Sequence, residues 1–261
     1  MFSEALDKLD FPICLAIISH IDSVPGIVYP VREIAKLLKS RGVECVAVDG
    51  AHAVGQVDIN LTNLRSEGVD CYTSNCHKWL YCPSGCAFLW VNPSSSLNKC
   101  IQPAVLSMYE KDSDLWSRFV YTGTRDYVPF CVIPDALSYI ESLGGSERVR
   151  SYLHSLAQHA GRQCSSTLGT ETLVPLDSHE LYGAMIDVRF PTDDWKLAQQ
   201  AQEILDKDFD MYMVVYQRKM EVWTRLSAAI YLQESDFDLL AKKVLEVLNQ
   251  LDNQTIAMKS D

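Results

Sequence analysis

Lys78 and Asp49 are the residues whose types and positions could support covalent chemistry. Lys78 follows the polar stretch 71–77, and Asp49 closes the apolar stretch 43–49. A lysine amine can form a Schiff base with an aldehyde, and a carboxylate can keep a pyridine nitrogen protonated so that the ring withdraws electrons. This pairing is the one that pyridoxal 5'-phosphate (PLP) chemistry needs.

The elements around these two residues indicate an α/β fold. Apolar runs at 13–19, 43–49, 69–74 and 86–91 predict strands, and the first is continuous enough to predict burial on both faces. Residues 31–41 have helical spacing, with Pro30 before them and Gly42 after them. Strand, helix and strand in this order predict a mostly parallel sheet covered by helices.

Polar side chains gather at the predicted carboxyl ends of three strands, where open α/β sheets bind their ligands. They are Ser19, His20, Asp22 and Ser23 after the first strand, Asp49 and His52 after the second, and Asn75, His77 and Lys78 after the third. This convergence is a stronger indication of a site than any one of the residues.

The pattern changes after residue 144. Helices are predicted at 130–143 and 147–168, then strands at 184–189, 211–216 and 220–226 and helices at 195–205 and 237–251, with a frayed tail at 253–261. We therefore predict a large α/β domain at 1–144 and a small α+β domain at 145–261.

The bulk composition narrows the class of protein. The net charge of −11 disfavours nucleic acid as a partner. No apolar run is long enough to span a bilayer and no signal peptide is apparent, which predicts a cytoplasmic protein without a membrane partner. The nine cysteines are odd in number and lie mostly in apolar runs, so we expect buried thiols.

Simpler interpretations exist for the same residues. Asp49-Gly50 could be only a turn, and Lys78 alone could be a solvated surface lysine. Four cysteines and His77 lie within residues 71–86, so a zinc site is conceivable, although their spacing does not match the familiar Cys-x2-Cys pairs.

Five stretches together resemble class V PLP-dependent aminotransferases, the cysteine-desulfurase-like family, and most closely its isopenicillin N epimerase-like branch. They lie at 18–26, 48–56, 72–80, 121–125 and 224–231, and their order and spacing are those of the family. The resemblance implies the PLP-dependent transferase fold type I, with a partial large domain and a small C-terminal domain.

The resemblance also implies roles for the residues near Lys78. Lys78 resembles the Schiff-base lysine that also moves the substrate α-proton, and Asp49 resembles the partner of the pyridine nitrogen. Ala51 would pack on one face of the ring, and His52 would lie near the phenolic oxygen of the cofactor. Asn75 and His77 would bind its phosphate.

Three further positions match family residues outside that cluster. Ser23, or less securely Asp22, would reach the same phenolic oxygen. Thr124, with Gly123, resembles the segment that contacts the phosphate of a neighbouring subunit, which implies a homodimer. Arg225 resembles the arginine that binds the α-carboxylate of an amino-acid substrate.

The sequence departs from the family in two respects. The large domain of the family begins well before this chain does, so the chain is expected to be truncated, to have an exposed sheet edge and to bind PLP weakly or not at all. The alternative to an enzyme is then a non-catalytic isoform or pseudoenzyme that serves as an interaction or dimerisation subunit. Residues 170–224 contain no cysteine, which disfavours a desulfurase mechanism.

Overall fold

Four five-residue strands form the first sheet, and the first two are apolar with β-branched side chains. In the computed structural model, which describes residues 2–105, 114–121 and 123–260, this sheet comprises β1 (Leu15–Ser19), β2 (Cys45–Asp49), β3 (Cys71–Asn75) and β4 (Ala87–Val91). The strand order is β1-β2-β3-β4. The first two pairings are parallel and the third, β3 with β4, is antiparallel.

Seven helices lie in the described part of the first 142 residues. They are α1 (Phe2–Leu6), α2 (Val31–Ser40), α3 (Leu61–Ser66), α4 (Leu97–Cys100), α5 (Leu115–Val120), α6 (Val128–Cys131) and α7 (Ile133–Ser142). Helix α2 buries Val31, Ile34, Ala35 and Leu38, which share one face and pack toward β1 and β2.

A second, antiparallel sheet has the strand order β5-β7-β6, from β5 (Met185–Arg189), β6 (Val214–Arg218) and β7 (Glu221–Ser227). Helices α8 (Ser146–Leu168), α9 (Trp195–Phe209) and α10 (Glu234–Ser260) accompany it. Helix α8 packs against α10 and β5, because its buried side chains repeat at helical spacing along one face.

The chain divides into two units, which we call the first and the second. The first comprises Met1–Ile21 and Tyr29–Ser142, and the second comprises Asp22–Val28 and Leu143–Asp261. The second unit therefore includes a short segment, residues 22–28, that lies early in the sequence. None of the helices in the described ranges is long and apolar enough to cross a membrane.

Several predicted elements need correction. Strand β1 lies at a sheet edge and leaves Ile17 70% exposed, so it is not buried on both faces. The helix predicted at 130–143 is divided into α6 and α7. Helix α10 continues to Ser260 rather than fraying after residue 252. The mostly parallel first sheet and the separate α+β second part agree with the predicted fold class.

Candidate active site at the ends of β2 and β3

The Lys78 side chain is held by His52. Strand β2 ends at Asp49 and leads into a turn that carries Ala51 and His52, while β3 ends at Asn75 just before the turn that carries Lys78. Because β2 and β3 run parallel and pair directly, both turns leave the same edge of the sheet. Lys78 Nζ lies 2.9 Å from His52 Nε2, so the structure brings these two predicted residues into hydrogen-bond contact.

His52 has a partner at each ring nitrogen. The Trp79 indole Nε1–H, which can only donate, lies 3.4 Å from His52 Nδ1, so Nδ1 accepts. Nε2 faces Lys78 Nζ. The contacts with Trp79 and Lys78 thus orient the imidazole ring.

The Asp49 carboxylate is exposed and oriented by its own turn. Asp49 Oδ1 accepts a hydrogen bond of 2.9 Å from the Ala51 N–H. The same turn is tied down by Gln56 Nε2, which donates to the His52 carbonyl at 2.7 Å, and by Ser74 Oγ, which donates to the Gly50 carbonyl at 2.5 Å. Backbone contacts thus fix the positions from which Asp49, Ala51 and His52 project.

A buried aromatic layer lies beneath this turn, and the sequence interpretation missed its role. Tyr72 is fully buried, and its hydroxyl is 2.8 Å from His20 Nδ1. Burial lowers the pKa of His20 to about 4 and raises the pKa of Tyr72, which the nearby Asp49 charge raises further. Both groups are neutral near pH 7, so they support the turn as a packed hydrogen-bonded pair.

Asn75 and His77 have different surroundings. Asn75 ends β3 opposite Ala87 of β4. His77 Nδ1 lies 2.9 Å from the Cys86 carbonyl, which can only accept, so Nδ1 carries a proton. Donation from Nε2 to a phosphate would require the doubly protonated ring. Their roles as phosphate ligands stay predictions.

Arg225 and Ser23 meet in the second unit. Arg225 Nη1 donates to the Ser23 carbonyl at 2.8 Å and to Ser23 Oγ at 3.2 Å. The Nε of Arg225 is buried without a hydrogen-bond partner among the described residues, although a buried donor is normally satisfied. Burial lowers the pKa of Arg225, but a guanidinium stays charged at neutral pH. The unsatisfied Nε–H is a donor that a carboxylate could use.

Thr124 is exposed in the segment between α5 and α6, and its expected contact with a neighbouring subunit stays a prediction. Thr122, which belongs to the same stretch of the family resemblance, lies outside the described residues.

The cysteines around Lys78 do not form a metal site. Cys76, Cys82 and Cys86 pack in an apolar cluster with Ala136, and burial raises the pKa of the Cys76 thiol to about 12. Across the described part of the chain, no group of three or more potential ligands could hold a metal ion. Neutral buried thiols explain the cysteines in this span.

Comparison with known protein families identifies the family of this chain. The family model described as aminotransferase class-V matches residues 2–210. The chain belongs to the class-V aminotransferase family. The cofactor of this family is PLP, and its fold is the PLP-dependent transferase fold type I.

Individual relatives agree with this assignment. The chain is 31% identical to hercynylcysteine sulfoxide lyase of Schizosaccharomyces pombe over 232 residues, which cover 86% of the chain and 56% of the relative. It is 30% identical to isopenicillin N epimerase of Streptomyces clavuligerus over 238 residues, which cover 85% and 57%. The chain thus spans about half the length of these relatives.

The fold is shared with a crystal structure of an alanine–glyoxylate aminotransferase from Nostoc sp. The TM-score is 0.68 at 18% sequence identity, and the match covers 90% of this chain and 62% of the other. The predicted family and fold class are therefore confirmed.

Proposed function

We propose that this chain carries out PLP-dependent chemistry on an amino-acid substrate, with Lys78 as the residue that binds the cofactor covalently. The observation that carries the proposal is the contact of 2.9 Å between Lys78 Nζ and His52 Nε2 at the ends of neighbouring parallel strands. Trp79 donates to the other ring nitrogen of His52, and Asp49 projects from the same turn as His52.

The donor set around Lys78 fits PLP. Bound PLP supplies an electron-withdrawing ring that stabilises negative charge on the substrate α-carbon. In our proposal Lys78 would hold the cofactor covalently and would take up or return the proton of the substrate α-carbon. Asp49 would keep the ring nitrogen protonated, and His52 would lie near the phenolic oxygen. Ala51 would pack on one face of the ring.

Phosphate binding and substrate binding use the remaining predicted residues. Asn75 and His77 would hold the phosphate. Arg225 would bind the α-carboxylate, which its unsatisfied Nε–H supports, and Ser23 would reach the phenolic oxygen. The relatives named above are a lyase and an epimerase, so the proposal extends to the class of substrate and not to the bond that is broken.

Borohydride trapping of a lysine adduct tests the proposal. Purified chain is mixed with PLP in large excess and reduced, and the labelled peptide is identified by mass spectrometry. We expect labelling on Lys78 in the wild-type chain and its loss in Lys78→Ala. Lys99→Ala is the matched control, because Lys99 is an exposed lysine of the first unit, and it should keep the label.

Two outcomes would contradict the proposal. One is labelling spread evenly over surface lysines. The other is unchanged labelling in Lys78→Ala.

We further propose that the protein is a cytoplasmic homodimer. The support is the family resemblance of Thr124, which is exposed as a contact with a second subunit requires. Light scattering of the purified chain, with and without PLP, measures the mass. A monomer under both conditions would contradict the proposed homodimer.

A further inference from the structure

Asp187 is a buried carboxylate that the roles described so far do not use. It lies in the middle of β5 with 3% of its surface exposed. A buried carboxylate is costly unless hydrogen bonds and charges satisfy it. Its two oxygens accept separate hydrogen bonds, Oδ1 from the Tyr216 hydroxyl at 2.8 Å and Oδ2 from the Gly26 N–H at 2.7 Å.

The Gly26 contact anchors the segment 22–28 to the second sheet. The Val28 N–H also donates to the Leu181 carbonyl at 2.9 Å. A Cβ on Gly26 would lie 2.8 Å from Met185 Cβ and 3.4 Å from Asp187 Oδ2, so the backbone approaches β5 more closely than a side chain would allow. The same segment presents Ser23, whose carbonyl and hydroxyl accept from Arg225.

Arg225 is also placed by Asp187. The two residues are direct partners in the antiparallel pairing of β5 and β7, and the negative charge of Asp187 favours the charged form of the guanidinium. Asp187 thus contacts the segment that carries Ser23 and faces the arginine that Ser23 binds. One carboxylate joins β5, β6, β7 and the segment 22–28.

We propose that Asp187 is a positioning residue that holds Arg225 and the Ser23 segment in one fixed arrangement for carboxylate recognition. The carboxylate-recognition part rests on the proposed function of Arg225. The positioning part rests on the hydrogen bonds and the strand pairing alone. Burial in a site with three favourable partners is typical of a side chain that orders its neighbours.

The proposal separates a hydrogen-bond role from a charge role. Asp187→Ala removes the acceptors of the Gly26 N–H and the Tyr216 hydroxyl as well as the charge. Asp187→Asn keeps a carbonyl oxygen for the Gly26 N–H, replaces the other oxygen with an NH2 group that can donate to the Tyr216 oxygen, and removes the charge that faces Arg225. Tyr216→Phe keeps the carboxylate and removes one donor. Asp193→Asn is the matched control for the aspartate changes, since Asp193 is exposed and hydrogen-bonded to Arg189.

Two measurements on the cofactor-free chain test these variants. Hydrogen exchange followed by mass spectrometry reports on the peptide that contains Gly26. In Asp187→Ala we expect its exchange to be about tenfold faster or more, as the loss of a hydrogen bond to a charged group implies. Peptides from α8 and α10 should stay within about twofold of the wild type. The second measurement is the NMR signal of the Arg225 Nε–H, assigned by its loss in Arg225→Lys.

The Asp187→Asn variant shows whether Asp187 positions Arg225 or only fills space in the core. We expect Asp187→Asn to restore much of the Gly26 protection but to leave the Arg225 Nε–H signal shifted or broadened. Full restoration of both readouts by asparagine would overturn the proposal, as would uniform acceleration across all peptides. If Asp187→Ala does not fold, Tyr216→Phe replaces it, with Tyr231→Phe as control, and unchanged readouts there would overturn the proposal.

The result is independent of the Lys78 test. Both readouts use the chain without PLP, so failure to trap a Lys78 adduct would remove the proposed function and leave the role of Asp187 intact. Titration with glycine, used as a carboxylate probe, tests the carboxylate-recognition part of the proposal. The Arg225 Nε–H signal should respond to glycine in the wild type at concentrations several-fold lower than in Asp187→Asn, and equal responses would overturn that part.

Discussion

His52 is the residue whose substitution most directly tests the chemistry at Lys78. Its imidazole lies 2.9 Å from the lysine Nζ and accepts from Trp79. In His52→Leu the amine loses this partner, so we expect the yield of borohydride-trapped Lys78 adduct at sub-saturating PLP to fall roughly three- to tenfold, the range of one hydrogen bond. His52→Gln, which keeps a polar tip, should lose less. His159→Gln in the second unit is the control, and an undiminished yield in His52→Leu would count against the assignment.

Gly50 is required by the close approach of the Asp49 turn to Tyr72. A Cβ at residue 50 would lie well inside van der Waals contact with the buried Tyr72 ring and hydroxyl. We expect Gly50→Ala to lower the free energy of unfolding by about 3 kcal/mol, the upper end for overpacking. Urea denaturation measures it. The control Gly85→Ala meets no atom within 4 Å at φ +86° and should carry only the backbone cost, about 1–2 kcal/mol.

The residues that could be predicted from the sequence are those with a local signal. Lys78, Asp49 and His52 follow strand ends, so their neighbourhood follows from parallel pairing. The roles of His20, Tyr72 and Asp187 could not be predicted, because they depend on partners at sequence separations of 52 residues for His20–Tyr72 and 161 for Gly26–Asp187. A lone buried aspartate in a predicted strand is the one signal that could have identified Asp187.

At the scale of elements, the Asp194 side chain caps the N-terminus of helix α9. The Asp194 side chain accepts from the N–H groups of Lys196 and Leu197, which have no partner within the helix. We expect Asp194→Ala to lower the free energy of unfolding by about 1 kcal/mol. Chemical denaturation measures the loss. Asp208→Ala, an exposed aspartate of the same helix, is the control, and equal effects of both changes would refute the capping role.

Two elements were predicted incorrectly, in the burial of β1 and in the continuity of the helix at 130–143. The run at 13–19 predicts a strand buried on both faces, but the same apolar run can form an edge strand. Among the described residues β1 pairs with a single strand, β2. The division between α6 and α7 follows from Pro134, which has no N–H to donate to a preceding carbonyl. The prediction of one continuous helix at 130–143 did not take this missing hydrogen bond into account.

At the scale of the whole molecule, the stability of the protein should depend on pH through Asp187. Burial raises its pKa from 3.8 to about 6, against the opposing effects of Tyr216, Gly26 and Arg225, the last of which also faces Tyr212. Between about pH 4 and 6 the folded state therefore binds a proton that the unfolded state has released. The resulting contribution to the free energy of unfolding is about 3 kcal/mol. It is fully present below pH 4 and is lost as the pH rises through about 6.

The measurement is a difference between two proteins. The free energy of unfolding is determined by urea between pH 4 and 7 for the wild type and for Asp187→Asn, whose side chain does not titrate. We expect the wild-type value to fall relative to the variant as the pH rises, because ionisation of Asp187 in its buried site opposes folding. A difference that is constant with pH, or that grows with pH, would show that the carboxylate is ionised throughout.

The path of the chain through the two units has a consequence for dissecting the protein. Because residues 22–28 belong to the second unit, no single cut in the sequence separates the two units. A fragment that starts at residue 143 would leave the Asp187 carboxylate without the Gly26 N–H and the Arg225 guanidinium without Ser23. Supplying residues 22–28 as a separate peptide, or fusing them by circular permutation, should restore what the fragment lacks. During synthesis, the segment 22–28 is therefore made before the strands of the second sheet, which supply its hydrogen-bond partners.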